Sequence, residues 1–137
     1  MKTIVDYLQK NSIFEGYIGE YSIEIMLHKG KIILLCDHDE YDINLSSPEY
    51  AIQDIMYDKY NTEIRFCDEC GKPYDAGFMA GDGEYYCCEE CFEPMMDRDY
   101  GKGKWRATED EGYRGGFYEY LDGDEWEDTG IFYTEWN

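Results

Sequence analysis

Apolar and polar positions along the first half of the chain follow two distinct periods. Ile4, Val5 and Leu8 fall on one helical face and predict a short helix over Thr3–Lys10. From Tyr21 the period changes to two. Tyr21, Ile23, Ile25 and Leu27 alternate with Ser22, Glu24 and Met26, the pattern of a half-buried strand. His28-Lys29-Gly30-Lys31 reads as a tight turn into Ile32–Cys36, and Tyr41–Leu45 adds a third strand. Ser46-Ser47-Pro48-Glu49 then predicts a helix start, with a Ser cap answered three residues later by Glu in a capping box and Pro in the first turn. Ala51, Ile52, Ile55 and Met56 supply the face that lies on the sheet, and the helix ends near Tyr60-Asn61. No fixed repeat is present.

The second half is patterned differently. Phe78-Met79-Ala80 and Glu84-Tyr85-Tyr86 flank Gly81-Asp82-Gly83 and predict a hairpin. From Asp99 onward Gly, acids and rings dominate. Phe117–Leu121 running into Asp122-Gly123-Asp124 reads as a strand and turn, and Ile131–Trp136 as a closing strand. The fold class expected is α+β in three parts: an α/β unit over 1–66, a cysteine module over 67–98, and a β-type aromatic segment over 99–137 packing on the rest.

Charge narrows the function classes. The 137 residues carry 32 Asp+Glu against 12 Lys+Arg, a formal charge of −20. A direct nucleic-acid binder is disfavoured, because phosphate contacts need a basic footprint. No apolar run approaches the ~18 residues of a membrane span, and Met1–Tyr7 lacks a signal peptide's apolar stretch, so a cytoplasmic protein is expected. The acidity does not imply disorder. Disordered acidic chains are poor in rings, whereas 15 Tyr, 6 Phe and 3 Trp are present here. Residues 1–66, 67–98 and 99–137 carry −6, −7 and −7, so the charge is not an acidic tail.

Five of the six cysteines lie between 67 and 91, in Cys67-Asp68-Glu69-Cys70-Gly71 and Tyr86-Cys87-Cys88-Glu89-Glu90-Cys91. In a cytosolic chain such close pairs point to zinc before disulfides. Two intervening residues let a tight knuckle aim both thiolates of Cys67 and Cys70 at one ion, and Gly71 permits the turn beyond. On spacing, either Cys87 or Cys88 can join Cys91.

The stretch CDECGKPYDAGFMAGDGEYYCCEECF resembles treble-clef zinc modules of the TRASH-like type, which combine a two-residue cysteine knuckle, a Gly-rich hairpin and a Tyr-Tyr-Cys-Ser-x-x-Cys helix start. That resemblance implies Cys67, Cys70, Cys87 and Cys91 as the ligands of one structural zinc ion, with Cys88 replacing the usual capping Ser. Pro94 departs from the pattern and predicts a kink or a restart of the helix. More loosely, the module followed by an acidic end such as Tyr133-Thr134-Glu135-Trp136 is similar to small proteins of phages and conjugative elements of Gram-positive bacteria. The similarity implies a mobile-element origin and little about mechanism, although such elements carry inhibitors of host restriction or RNA-guided nucleases.

Four thiolates close a coordination sphere, whereas catalytic zinc keeps an open position. A closed site of this kind binds with about 10–16 kcal/mol and would hold residues 67–98 together. Other motifs read as ordinary structure. Cys36-Asp37-His38-Asp39-Glu40 is a charged loop after a strand, with no second anchoring motif, and there is no phosphate-cradling loop, Gly-x-Ser-x-Gly or His-Glu-x-x-His. Glu109-Asp110-Glu111 and the acids from Asp122 to Asp128 lack calcium-loop spacing. No catalytic or further cofactor-binding residue is expected. The rings of the last segment lack interleaved Lys and Arg, so they read as packing and not as base-stacking platforms.

A chain of this length has a radius of gyration near ~14 Å, hence a diameter of ~37 Å. Duplex DNA of that length carries about 22 phosphate charges. Four thiolates around one zinc ion would take the protein from −20 to −22. DNA mimicry is therefore the expected mechanism: a non-enzymatic, zinc-stabilised acidic protein occupying the basic DNA-binding surface of a nuclease (an anti-CRISPR or anti-restriction role). The alternative is a zinc-containing protein–protein adaptor without mimicry, recognised by a localised apolar patch and modest salt dependence.

Overall fold

The computed structural model describes residues 2–80, 83–108 and 117–137. Glu109–Glu111, Tyr113, and Gly81 and Asp82 of the expected hairpin lie outside the described residues. The chain divides into two units, residues 1–75 with 136–137 and residues 76–135.

In the first unit, α1 (Ile4–Asn11) precedes a meander of β1 (Ile13–Ile18), β2 (Tyr21–His28), β3 (Lys31–Cys36) and β4 (Asp39–Ile43), paired antiparallel in the order β1-β2-β3-β4. Then come α2 (Pro48–Tyr60) and the two-residue strands β5 (Arg65–Phe66) and β6 (Pro73–Tyr74). The β2–β3 and β3–β4 turns, Lys29-Gly30 and Asp37-His38, have positive φ at both central residues, as tight hairpins between right-twisted strands require.

Strand alternation splits the sheet into two faces. The inner face, with Phe14, Ile18, Ile23, Ile25, Ile32 and Leu34, is buried under Ile4 and Leu8 of α1 and Ile52 and Met56 of α2. The outer face reads in register as a row Glu15–Glu24–Leu35–Glu40 beside a row Ile13–Met26–Ile33–Asp42.

The capping box expected at Ser46 and Glu49 does not form. Ser47 caps α2 without a side-chain bond, and the Ser46 amide donates to Asn44 Oδ1 at 2.8 Å in a local turn. Glu49 Oε1 instead accepts from the Ile4 amide at 3.0 Å, satisfying an orphan donor of α1. The box sits on α1, where the Asp6 amide donates to Thr3 Oγ1 and the Thr3 amide to Asp6 Oδ2. The strand expected over Tyr41–Leu45 is β4, Asp39–Ile43, two residues earlier, which leaves Leu45 exposed.

The second unit contains β7 (Ala76–Met79), β8 (Tyr85–Tyr86), α3 (Glu89–Tyr100), β9 (Trp105–Thr108), β10 (Phe117–Asp122) and β11 (Glu125–Glu135), in a sheet of order β8-β7-β11-β10-β9. The closing strand starts at Glu125 and not Ile131, and a register shift between Phe117 and Glu119 absorbs its extra length. There Thr129 Oγ1 donates to the Tyr118 carbonyl at 2.7 Å. The restart expected at Pro94 does not occur, since α3 runs through it from Glu89 to Tyr100.

The core of this unit is aromatic. Phe92 is fully buried, with ring centroids of Tyr118 at 4.6 Å and Phe78 at 4.7 Å, and Tyr86 and Trp105 farther out. Tyr100 stacks on Tyr120 at 4.5 Å, and the Arg106 guanidinium lies 4.0 Å over Trp126. The architecture is α+β, with helices and antiparallel sheets.

Candidate metal centre

Cys67 and Cys70 sit in the loop between β5 and β6. The Cys67 amide donates to the Lys72 carbonyl at 2.9 Å and the Gly71 amide to the Cys67 carbonyl at 2.8 Å, so two backbone bonds close the knuckle. Gly71 has φ +83°, and a Cβ there would overlap the Thr3 carbonyl oxygen and lie 2.6 Å from its carbon. The Lys2 amide donates to the Asp68 carbonyl at 2.8 Å, which lays the N-terminal strap on the knuckle.

Cys87 follows β8, Cys88 is the N-cap of α3, and Cys91 lies in its first turn. The Cys91 and Phe92 amides donate to the Cys88 carbonyl at 3.1 and 3.3 Å. A thiolate in a first helical turn is favoured by the positive end of the helix dipole.

The Sγ atoms of Cys67, Cys70, Cys87 and Cys91 all lie within 4.8 Å of one another, with Cys67 buried and the other three half-buried. No disulfide joins any of the six cysteines. A tetrahedral ion with metal–sulfur bonds of about 2.3 Å sets its sulfurs about 3.8 Å apart. Cys87 and Cys91 stand at 3.5 Å. Donor number, type and spacing thus fit one tetrahedral metal ion, which these four residues can hold.

Cys88 Sγ is 3.7 Å from Cys87 Sγ but falls outside the four-sulfur group, and its side chain makes no capping bond. Among the described residues no other set of three or more His, Cys, Asp or Glu side chains is gathered in this way.

The remaining candidates are dispersed. Cys36 faces the first unit's core, 1 % exposed, and burial pushes its thiol up, away from the thiolate form a nucleophile needs. The Tyr60 hydroxyl donates to the Cys36 carbonyl at 3.0 Å and shares a 2.9 Å bond with the Tyr41 hydroxyl. His38 stands in the exposed β3–β4 turn and His28 at the exposed end of β2. The acids from Asp122 to Asp128 line the β10–β11 hairpin, and no metal-binding group forms there.

Comparison with known proteins returns no matching protein family, no matching curated protein and no matching solved structure. Among the described residues, no helix is long and apolar enough to cross a membrane.

Proposed function

We propose that this is a non-enzymatic acidic binding protein built around one structural zinc ion, whose partner is a basic protein surface. The four-thiolate donor set supports the zinc reading. The order knuckle, hairpin, helix along 67–100 supports reading it as a treble clef. Elemental analysis of untagged protein should return one zinc per chain.

The observation that carries the binding role is uncompensated charge. The chain has 32 acids against 12 Lys and Arg, so even full pairing of every basic residue would leave an excess of 20 negative charges. Surface carboxylates in that excess raise a negative potential that steers a cationic partner and speeds its capture.

The most specific form of the proposal is an inhibitor of a DNA-targeting nuclease, in which carboxylates stand where phosphates would lie. Competition decides it: the protein should displace duplex DNA from such a nuclease, with affinity falling steeply as salt rises. Binding that is unchanged between low and high salt overturns mimicry. A second reading, a zinc-containing adaptor without mimicry, draws support from the half-exposed apolar row on the outer face of the first sheet.

A further inference from the structure

We propose that the outer face of the β1–β4 sheet is a docking surface for a protein segment that presents arginine or lysine beside apolar side chains. Ile13, Met26 and Ile33 are cross-strand neighbours on this face, and Leu35 follows Ile33 two residues along β3. All four are half-buried, and none belongs to the buried cluster or to the side chains packed against it. They form an apolar strip on the side of the sheet away from α1 and α2.

Beside the strip, Glu15 and Glu24 stand directly opposite each other across β1 and β2. Like charges in that position oppose sheet pairing. Among the described residues, no Lys or Arg forms an ion pair with Glu15, Glu24 or Glu40. Asp42, at the end of the apolar row, is the exception, held by Lys31 at 3.1 Å. A guanidinium or ammonium set between Glu15 and Glu24 would relieve the repulsion while its neighbours cover the strip.

Charge also selects against a second copy of this chain. Two-fold packing through this face would set the same carboxylates against each other, on a chain already at −20. The assignment rests on the partner being a basic protein surface, and it names the part of the molecule that meets it.

The test uses the full-length, zinc-loaded, ¹⁵N-labelled protein and two synthetic peptides, one alternating Arg with Leu and one alternating Arg with Gly. The Arg/Leu peptide should bind more tightly and shift first the amides of β1–β3 whose side chains point outward. Glu15→Gln with Glu24→Gln should weaken it about tenfold, roughly threefold per carboxylate. Met26→Gln with Ile33→Gln should abolish the advantage of Leu over Gly. The wild-type map stands without any variant, so a misfolded mutant leaves the question answerable.

Shifts confined to acidic residues elsewhere would overturn the face assignment and leave the basic-partner reading standing. Failure of both peptides to bind at low salt would overturn both. A wild-type dimer by sedimentation equilibrium that Met26→Gln/Ile33→Gln dissolves would make the face a self-association surface and overturn the proposal.

Discussion

Replacing Gly71 with Ala tests whether the knuckle and the N-terminal strap form one rigid object. Two costs combine at this position. The backbone has φ +83°, where an L-residue pays about 1–2 kcal/mol. The added methyl would also overlap the Thr3 carbonyl, a backbone group that no side-chain rotation can move aside. Relief requires shifting the strap, which removes the Lys2–Asp68 backbone bond, about 1 kcal/mol. The shift also disturbs the Thr3–Asp6 capping box, about another 1 kcal/mol. The expected loss is therefore about 3–4 kcal/mol.

Gly30→Ala is the matched control. Its φ is +79°, yet nothing lies within 4 Å of the added carbon, so it isolates the backbone cost. Urea titrations followed by far-UV circular dichroism, at fixed free zinc, give both values. Amide exchange at residues 2–11 and 67–72 then locates the damage. If Gly71→Ala loses no more stability than Gly30→Ala, the strap yields freely and the reasoning is wrong.

Other consequences can be checked more briefly. Cys67→Ser or Cys91→Ser should lose the bound metal, while Cys88→Ser should keep one equivalent by elemental analysis, because its sulfur stands outside the four-sulfur group. Phe92→Ala should cost about 3–5 kcal/mol by emptying the centre of the ring cluster, and Phe92→Leu markedly less, measured by denaturant unfolding. Alkali should destabilise the fold through buried Tyr118 and, less, through half-buried Tyr60. Burial, then the neighbouring Glu89 carboxylate, pushes Tyr118 up to about 12, and burial with the Tyr41 hydrogen bond pushes Tyr60 up as well. Above the unfolded pKa of about 10 the unfolded chain has released protons that the fold retains, so stability falls by up to about 1.4 kcal/mol per pH unit for Tyr118 and by less for Tyr60, which solvent screens. This stabilisation is complete below pH ~10 and is lost as pH rises through the folded values. Tyr118→Phe should flatten that slope in unfolding measurements between pH 9 and 12.

What the sequence revealed depended on how many physical signals agreed at each place. Strand β2 combines strict alternation with β-branched residues, and α2 combines Pro in its first turn with a clean apolar face, so both were legible. Strand β1 was not, because Gly16 interrupts its pattern. In the structure that glycine lies under the Phe14 ring, and a Cβ would come 3.1 Å from its Cζ. Strand β9, four residues beginning Trp105-Arg106, is too short to show a period.

The first half of β11 reads Glu125-Trp126-Glu127-Asp128, and an acidic run of that kind resembles a turn until its partner β10 supplies the pairing. The Ser46–Glu49 spacing fits a capping box, yet Glu49 bonds the Ile4 amide instead, a choice set by tertiary contact. The cysteines were the clearest local signal. Spacing brought out both pairs, but left Cys87 and Cys88 equivalent, and it is the three-dimensional grouping that leaves Cys88 out.

The chain leaves its first unit at Asp75 and returns at Trp136, whose amide donates to the Asp75 carbonyl at 2.9 Å. Trp136 then packs its ring on Tyr74 and under the Arg65 guanidinium, while the Asn137 side chain bonds both the amide and the carbonyl of Glu63. Residues 76–135 are thus an insertion between Asp75 and Trp136, and its first and last residues, Ala76 and Glu135, are paired across β7 and β11. During synthesis the first unit must wait for the whole insertion to be translated before it can make these contacts. Because the ends already touch, doubling the inserted length would add only about 0.6 kcal/mol of closure entropy. The junction therefore tolerates variation in the length of what it carries, and the unit made first is the last to be finished.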